Sequence, residues 1–163
     1  MLGSLDKYGG YRATALSRDH KPNEKDEEAR IIENGGRVRQ YMDPVSKELL
    51  GPLRVWAKRD EYPGLAMTRS IGDEVGKRLG VSAEPEIWER GFTRNDKFVI
   101  VGSDGVWEFL GNKEAVDIVA PFFHKSNAEG AAEAIVKESV KLWQAEEEVV
   151  DDITCVILFL EVP

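Results

Sequence analysis

An apolar run from Phe98 to Val101 breaks off at Gly102-Ser103-Asp104-Gly105, and a second, Ile153 to Leu160, follows directly on Asp151-Asp152. Short Val-, Ile- and Phe-rich runs bounded by Gly and Asp read as buried strands. One carboxylate therefore ends a strand and another precedes one. If the two strands are antiparallel neighbours, Asp104 and Asp151 meet at one rim of a sheet. Two carboxylates so placed repel, and one takes up a proton unless a divalent cation neutralises both; a hard ion such as Mg²⁺ or Mn²⁺ is the expectation. Taken singly, each site is more often ordinary turn chemistry, with Asp bonding the local backbone and Gly taking positive φ.

Composition bounds the alternatives. At 163 residues, 42% of them apolar, the chain can bury the core of one ordinary domain. A net charge of −8 opposes both a phosphodiester backbone and an anionic membrane surface, so neither nucleic acid nor membrane is an expected partner. The single cysteine, Cys155, lies inside the last apolar run, which excludes a disulfide framework and reads as a small buried hydrophobe in a reducing compartment, the cytoplasm or nucleus. No run of eighteen apolar residues occurs, and the first residues lack a secretory pattern. Met1-Leu2-Gly3-Ser4 runs straight into what reads as mid-hairpin, so the natural N-terminus is expected elsewhere.

Along the chain, Tyr11–Leu16 reads as a strand after the turn Lys7-Tyr8-Gly9-Gly10. Asn23 is placed to cap a helix whose acidic first turn suits the positive end of its dipole and which Gly35-Gly36 ends. Arg37–Tyr41 alternates as a strand, and residues 42–64, with three Pro and no sustained period, read as a long loop or flap. Pro85–Arg90 and Lys97–Val101 read as a hairpin. Asn112 opens a helix with Val116, Val119, Ala120 and Phe123 on one stripe. Ser126 with Glu129 forms the capping box of another, buried along Ala128, Ala131, Ala132, Ile135, Val136, Val140 and Trp143. Arg69 and Asp73, four apart, read as an intrahelical ion pair rather than a phosphate clamp. These elements suggest an α+β fold of helices on sheets.

Six stretches stand in a recognisable order: Leu16-Ser17-Arg18-Asp19-His20-Lys21-Pro22; Glu28-Ala29-Arg30-Ile31 with Gly35-Gly36-Arg37-Val38; Pro63-Gly64-Leu65-Ala66-Met67-Thr68-Arg69-Ser70-Ile71-Gly72-Asp73; Glu84-Pro85-Glu86-Ile87; Gly102-Ser103-Asp104-Gly105-Val106-Trp107-Glu108; and Val150-Asp151-Asp152-Ile153-Thr154. Through them the chain closely resembles the C-terminal part of a type 2C, metal-dependent serine/threonine protein phosphatase. The resemblance implies an α+β, four-layer α-β-β-α sandwich of antiparallel sheets with its N-terminal half missing. Residues 1–163 would be the C-terminal portion of one catalytic domain, with 42–64 as a variable flap that influences substrate choice. Trp56 in it is either a recognition aromatic or, preferably, a packing anchor.

By the same resemblance, Asp104 and Asp151 are two of three carboxylates on one ion of a binuclear Mg²⁺ or Mn²⁺ centre, and Asp19, Asp104 and Glu108 match the ligands of a third, looser ion. Glu108 stands where the family more commonly has Asp, and Asp19 is equally well a turn residue. The family's bridging Asp and its His come from an Asp-Gly-His-Gly motif absent here, as are its phosphate-holding Arg and a further Glu. No catalytic residue is therefore assigned. His20 reads as satisfying local backbone groups and His124 as a partner of a helix C-terminus. The implied reaction is in-line attack on phosphoserine or phosphothreonine proteins by a metal-bound water. The chain alone is expected to be inactive, to bind metal weakly, and to associate as a homodimer through exposed sheet edges. The alternative is a noncatalytic pseudophosphatase or protein-binding module.

Overall fold

The computed structural model describes residues 1–162. In chain order the elements are β1 (Leu2–Leu5), β2 (Tyr11–Thr14), α1 (Lys25–Glu33), β3 (Gly36–Met42), β4 (Leu49–Ala57), β5 (Pro63–Leu65), α2 (Glu74–Arg78), β6 (Asp96–Gly102), α3 (Asp104–Trp107), α4 (Asn112–Phe123), α5 (Ala128–Glu146) and β7 (Cys155–Phe159). They form two antiparallel sheets accompanied by five helices, the α+β class expected. The chain divides into two compact units, Arg18–Ile87 and the remainder, Met1–Ser17 with Trp88 onward.

The larger unit is a four-stranded sheet ordered β2-β1-β6-β7, every pairing antiparallel. Alternation sets its faces: Phe98 and Ile100 on β6 and their partners Phe159 and Ile157 on β7 point to a core completed by Val106, Leu110, Val116, Val119 and Ile135 from the helices. On α4 the expected stripe of Val116, Val119 and Ala120 is buried, while Phe123 packs against it half-buried. The Glu114 carboxylate at the start of α4 accepts a 3.0 Å bond from the Gly111 N–H, one of the donors a helix N-terminus leaves free. Helix α5 begins one residue later than the capping box predicts. Asn127, not Ser126, is the cap, its Oδ1 accepting from Gly130 N–H at 2.9 Å, and Ser126 takes φ +52° in the preceding turn.

The expected hairpin of Pro85–Arg90 with Lys97–Val101 does not form. Strand β6 already has β1 on one edge and β7 on the other, so no ladder remains for a third partner. The loop before it is tied instead by buried Asp96, which accepts from Arg90 Nη2 at 3.0 Å, Thr93 N–H at 2.8 Å and the Thr93 hydroxyl at 3.1 Å.

In the Arg18–Ile87 unit, α1 lies on the three-stranded sheet β3-β4-β5 over a small core of Ile31, Val55 and Val81 with Val38, Leu65 and Leu79. Its N-cap is Glu24 rather than Asn23, without a side-chain cap; Gly35, at φ +82°, turns the chain out of the helix, since only Gly takes that conformation without a Cβ penalty. Residues 42–64 are not one long loop. Nine of them are β4, which pairs with β3 from Gly36↔Ala57 to Met42↔Leu49 across a register shift at Gln40/Tyr41. The Gly51-Pro52 pair that hides the strand's period in the sequence sits opposite that shift. Trp56 is 5% exposed, its indole N–H donating to Arg39 O at 2.8 Å, which makes it the anchor expected.

Candidate metal centre

Strand β6 ends and β7 begins at the same rim. Gly102 lies opposite Cys155, and the ladder continues past the strands: Ser103 N–H donates to Thr154 O at 3.0 Å, Thr154 N–H to the Ser103 hydroxyl at 3.0 Å, and that hydroxyl to Asp152 O at 3.2 Å. Asp104 comes next on one strand and Asp151 just before on the other, both exposed. The pairing inferred from the two apolar runs is the one that forms.

Each carboxylate is steadied locally. Asp104 Oδ1 accepts from Gly105 N–H at 3.1 Å and Asp151 Oδ1 from Asp152 N–H at 2.8 Å. Gly105 is required by close approach rather than by turning: a Cβ there would lie 2.4 Å from Asp152 O. The first turn of α3 is clamped by two indoles, Trp107 Nε1–H donating to Gly102 O at 3.0 Å and Trp143 Nε1–H to Gly105 O at 2.8 Å, with Phe109 edge-on to Trp143 at 4.7 Å. Glu108, exposed, caps this turn at its C-terminal end, its N–H donating to Asp104 O at 2.9 Å. Exposed oxygen-only donors suit a hard divalent ion that keeps several waters.

A protein-family model described as Protein phosphatase 2C matches residues 1–146. The chain belongs to the protein phosphatase 2C family. It is 40% identical over 162 residues to "Probable protein phosphatase 2C 12" of Oryza sativa subsp. japonica, covering 98% of this chain and 40% of the relative. To "Probable protein phosphatase 2C 34" of Arabidopsis thaliana it is 37% identical over 161 residues, covering 98% and 43%. The chain thus spans about two fifths of the length of these curated relatives. In fold it is similar to a serine-threonine phosphatase 2C from Toxoplasma gondii, with a TM-score of 0.80 at 23% identity over 98% of this chain and 51% of that one.

Within this protein phosphatase 2C chain, Asp19 belongs to the Arg18–Ile87 unit, where it is exposed and its carbonyl accepts from Lys21 N–H at 2.9 Å, the local turn its sequence context allows. His20 does more than serve local backbone: its Nε2 lies 3.3 Å from Glu86 Oε2. His124 caps α4 and meets the Tyr11 hydroxyl at 3.2 Å.

The largest departure from the sequence reading in that unit concerns Arg69. It makes no intrahelical pair with Asp73, because α2 starts only at Glu74 and Asp73 is its N-cap, accepting from Gly76 N–H at 2.7 Å. Arg69 instead turns to Glu27, which is fully buried and also receives both Nη groups of Arg30, at 2.9 and 2.5 Å, and the Thr68 hydroxyl. Those bonds, from Arg30 first, hold the Glu27 carboxyl well below the usual range against the opposing cost of burial. Beside it Arg18 grips Asp26 with two 2.7 Å bonds and also bonds Glu86, and holds the Asp26 carboxyl down at about 2. Asp26, Glu27 and Glu86 bring oxygens within 4.8 Å of one another, the spacing of a metal cage, but three guanidiniums already occupy them. This is an ion-pair network. Its partners lie 42 and 68 residues apart in the chain, and no local spacing announces them.

Proposed function

We propose that this chain is the metal-holding portion of a metal-dependent serine/threonine protein phosphatase acting on phosphoserine and phosphothreonine in proteins. The observation that carries the proposal is the β6–β7 register, which runs the strand before Asp104 beside the strand after Asp151 at one rim. Mg²⁺ or Mn²⁺ bound there would supply Lewis-acid polarisation of phosphoryl oxygens and acidify a water near neutral pH. Asp104 and Asp151 would hold the ion, with Gly105 and Asp152 N–H groups orienting one oxygen of each. The two indole clamps on Gly102 and Gly105 keep the Asp104 turn from shifting as the ion comes and goes. Glu108, one helical turn after Asp104, is a further ligand in this reading, and Asp19 rests on its motif alone.

The test is Mn²⁺-dependent release of phosphate from a phosphothreonine peptide by the longer protein that contains this chain. Asp104→Asn and Asp151→Asn should each lower kcat by about a hundredfold or more. Metal-independent turnover, or full activity in Asp104→Asn, would refute the assignment.

A further inference from the structure

One face of the β3-β4-β5 sheet is committed to its core through Val38 and Val55, which are opposite partners in the register. The pairs on the other face are Arg37↔Trp56 and Arg39↔Arg54. That face carries a groove of about 450 Å³ lined by Tyr41, Leu50, Gly51, Arg54, Trp56 and Glu61, with Pro63 and Gly64 at its end.

The charges in this groove do not balance. Arg37 and Arg39 share the single carboxylate of Glu61, and Arg54 spends one Nη on Gly64 O at 2.8 Å with no carboxylate within ion-pair distance among the described residues. Arg39 lies over the Trp56 ring at 5.4 Å, and its buried Nε–H has no partner. Three guanidiniums against one carboxylate leave the face positive. The bias extends over the surrounding stretch: residues 36–65 hold six basic and four acidic side chains, whereas the whole chain holds 22 and 30. At the lip of the groove Leu50 is 45% exposed, with Leu49 and Leu53 beside it in the strand.

We propose that this groove is a docking site for an acidic segment of a partner protein, one that sets Asp or Glu side chains against Arg54 and Arg39 and an apolar side chain against Leu50 and the Tyr41–Trp56 pair. Guanidiniums without full counter-charge beside aromatic and aliphatic surface favour carboxylates flanked by apolar groups. A site of this kind selects its partner by charge and holds it by apolar contact. It operates whether or not the chain carries phosphatase activity.

A displayed library of random twelve-residue peptides, selected on the whole chain, tests the proposal. Selected peptides should be enriched in Asp and Glu next to Leu, Ile or Phe. Labelled copies should lose about tenfold or more in affinity with Arg54→Gln, recover with Arg54→Lys, and lose binding to Leu50→Asp, which changes an exposed side chain and keeps the fold. Their binding should also weaken as salt rises. Selection of peptides without acidic enrichment, no selection above background, binding indifferent to Leu50→Asp, or displacement of the peptides by a short single-stranded RNA would overturn it.

Discussion

Arg69 Nη2 lies 2.6 Å from Oε1 of Glu27, a residue 42 positions away whose side chain is wholly shielded from water. The buried carboxylate is the hub on which α1 and the segment before α2 are fixed within their unit, since Arg30, Thr68 and Arg69 all converge on it.

Removing that hub should be costly. In Glu27→Ala, Arg30 and Arg69 keep their charge without its partner, and losses of about 3 to 5 kcal/mol are usual when one member of a buried pair is deleted. Urea unfolding followed by tryptophan fluorescence should show a midpoint shift of that size for Glu27→Ala. A smaller one is expected for Glu27→Gln, which keeps hydrogen-bond acceptance.

The same residue sets a pH dependence. Its folded carboxyl titrates below the unfolded value of about 4.3, so its stabilisation is complete above that pH, fades as the pH falls below it and is gone once the depressed folded value is passed. Between about pH 5 and pH 3 the melting temperature of the unaltered chain should fall more steeply than that of Glu27→Gln.

Gly105→Ala should damage the rim without touching a carboxylate. The added methyl would meet the backbone of Asp152 at 2.4 Å, and forcing the two strand ends apart should cost about 2 kcal/mol. Calorimetric titration with Mn²⁺ should give weak, roughly millimolar binding to the unaltered chain, as two carboxylates and water afford, and binding about tenfold weaker in Gly105→Ala and in Asp151→Asn.

Cys155, half-buried on β7, has its thiol pushed up to about 11 by burial. The thiolate is therefore scarce near pH 8, and a disulfide reagent should modify the folded chain about a hundredfold more slowly than the urea-unfolded chain.

What could be read from the sequence follows from how local each signal is. The β6 and β7 runs are unbroken and bounded by acidic turns, so their antiparallel pairing was legible. β4 was not, because Gly51-Pro52 interrupts its alternation where the strand bulges. Pro85–Arg90 has strand-like composition, but β6 has no free edge to receive it. Caps moved by one residue, from Asn23 to Glu24 and from Ser126 to Asn127, where neighbouring polar residues compete for the same role. The Glu27 network was out of reach for a different reason: its members come from distant parts of the chain, and the one local spacing on offer, Arg69 with Asp73, pointed to the wrong partner.

Because β1 sits between β2 and β6, the four-stranded sheet is woven from the two flanks of the chain, while residues 18–87 are spliced into the middle as a body with its own core. During synthesis the β1–β2 hairpin therefore lacks its β6 neighbour until Phe98 and Val99 arrive to pair with Gly3 and Leu2. The interposed unit can collapse in that interval, so the β1 edge is among the last parts of this sheet to be sealed.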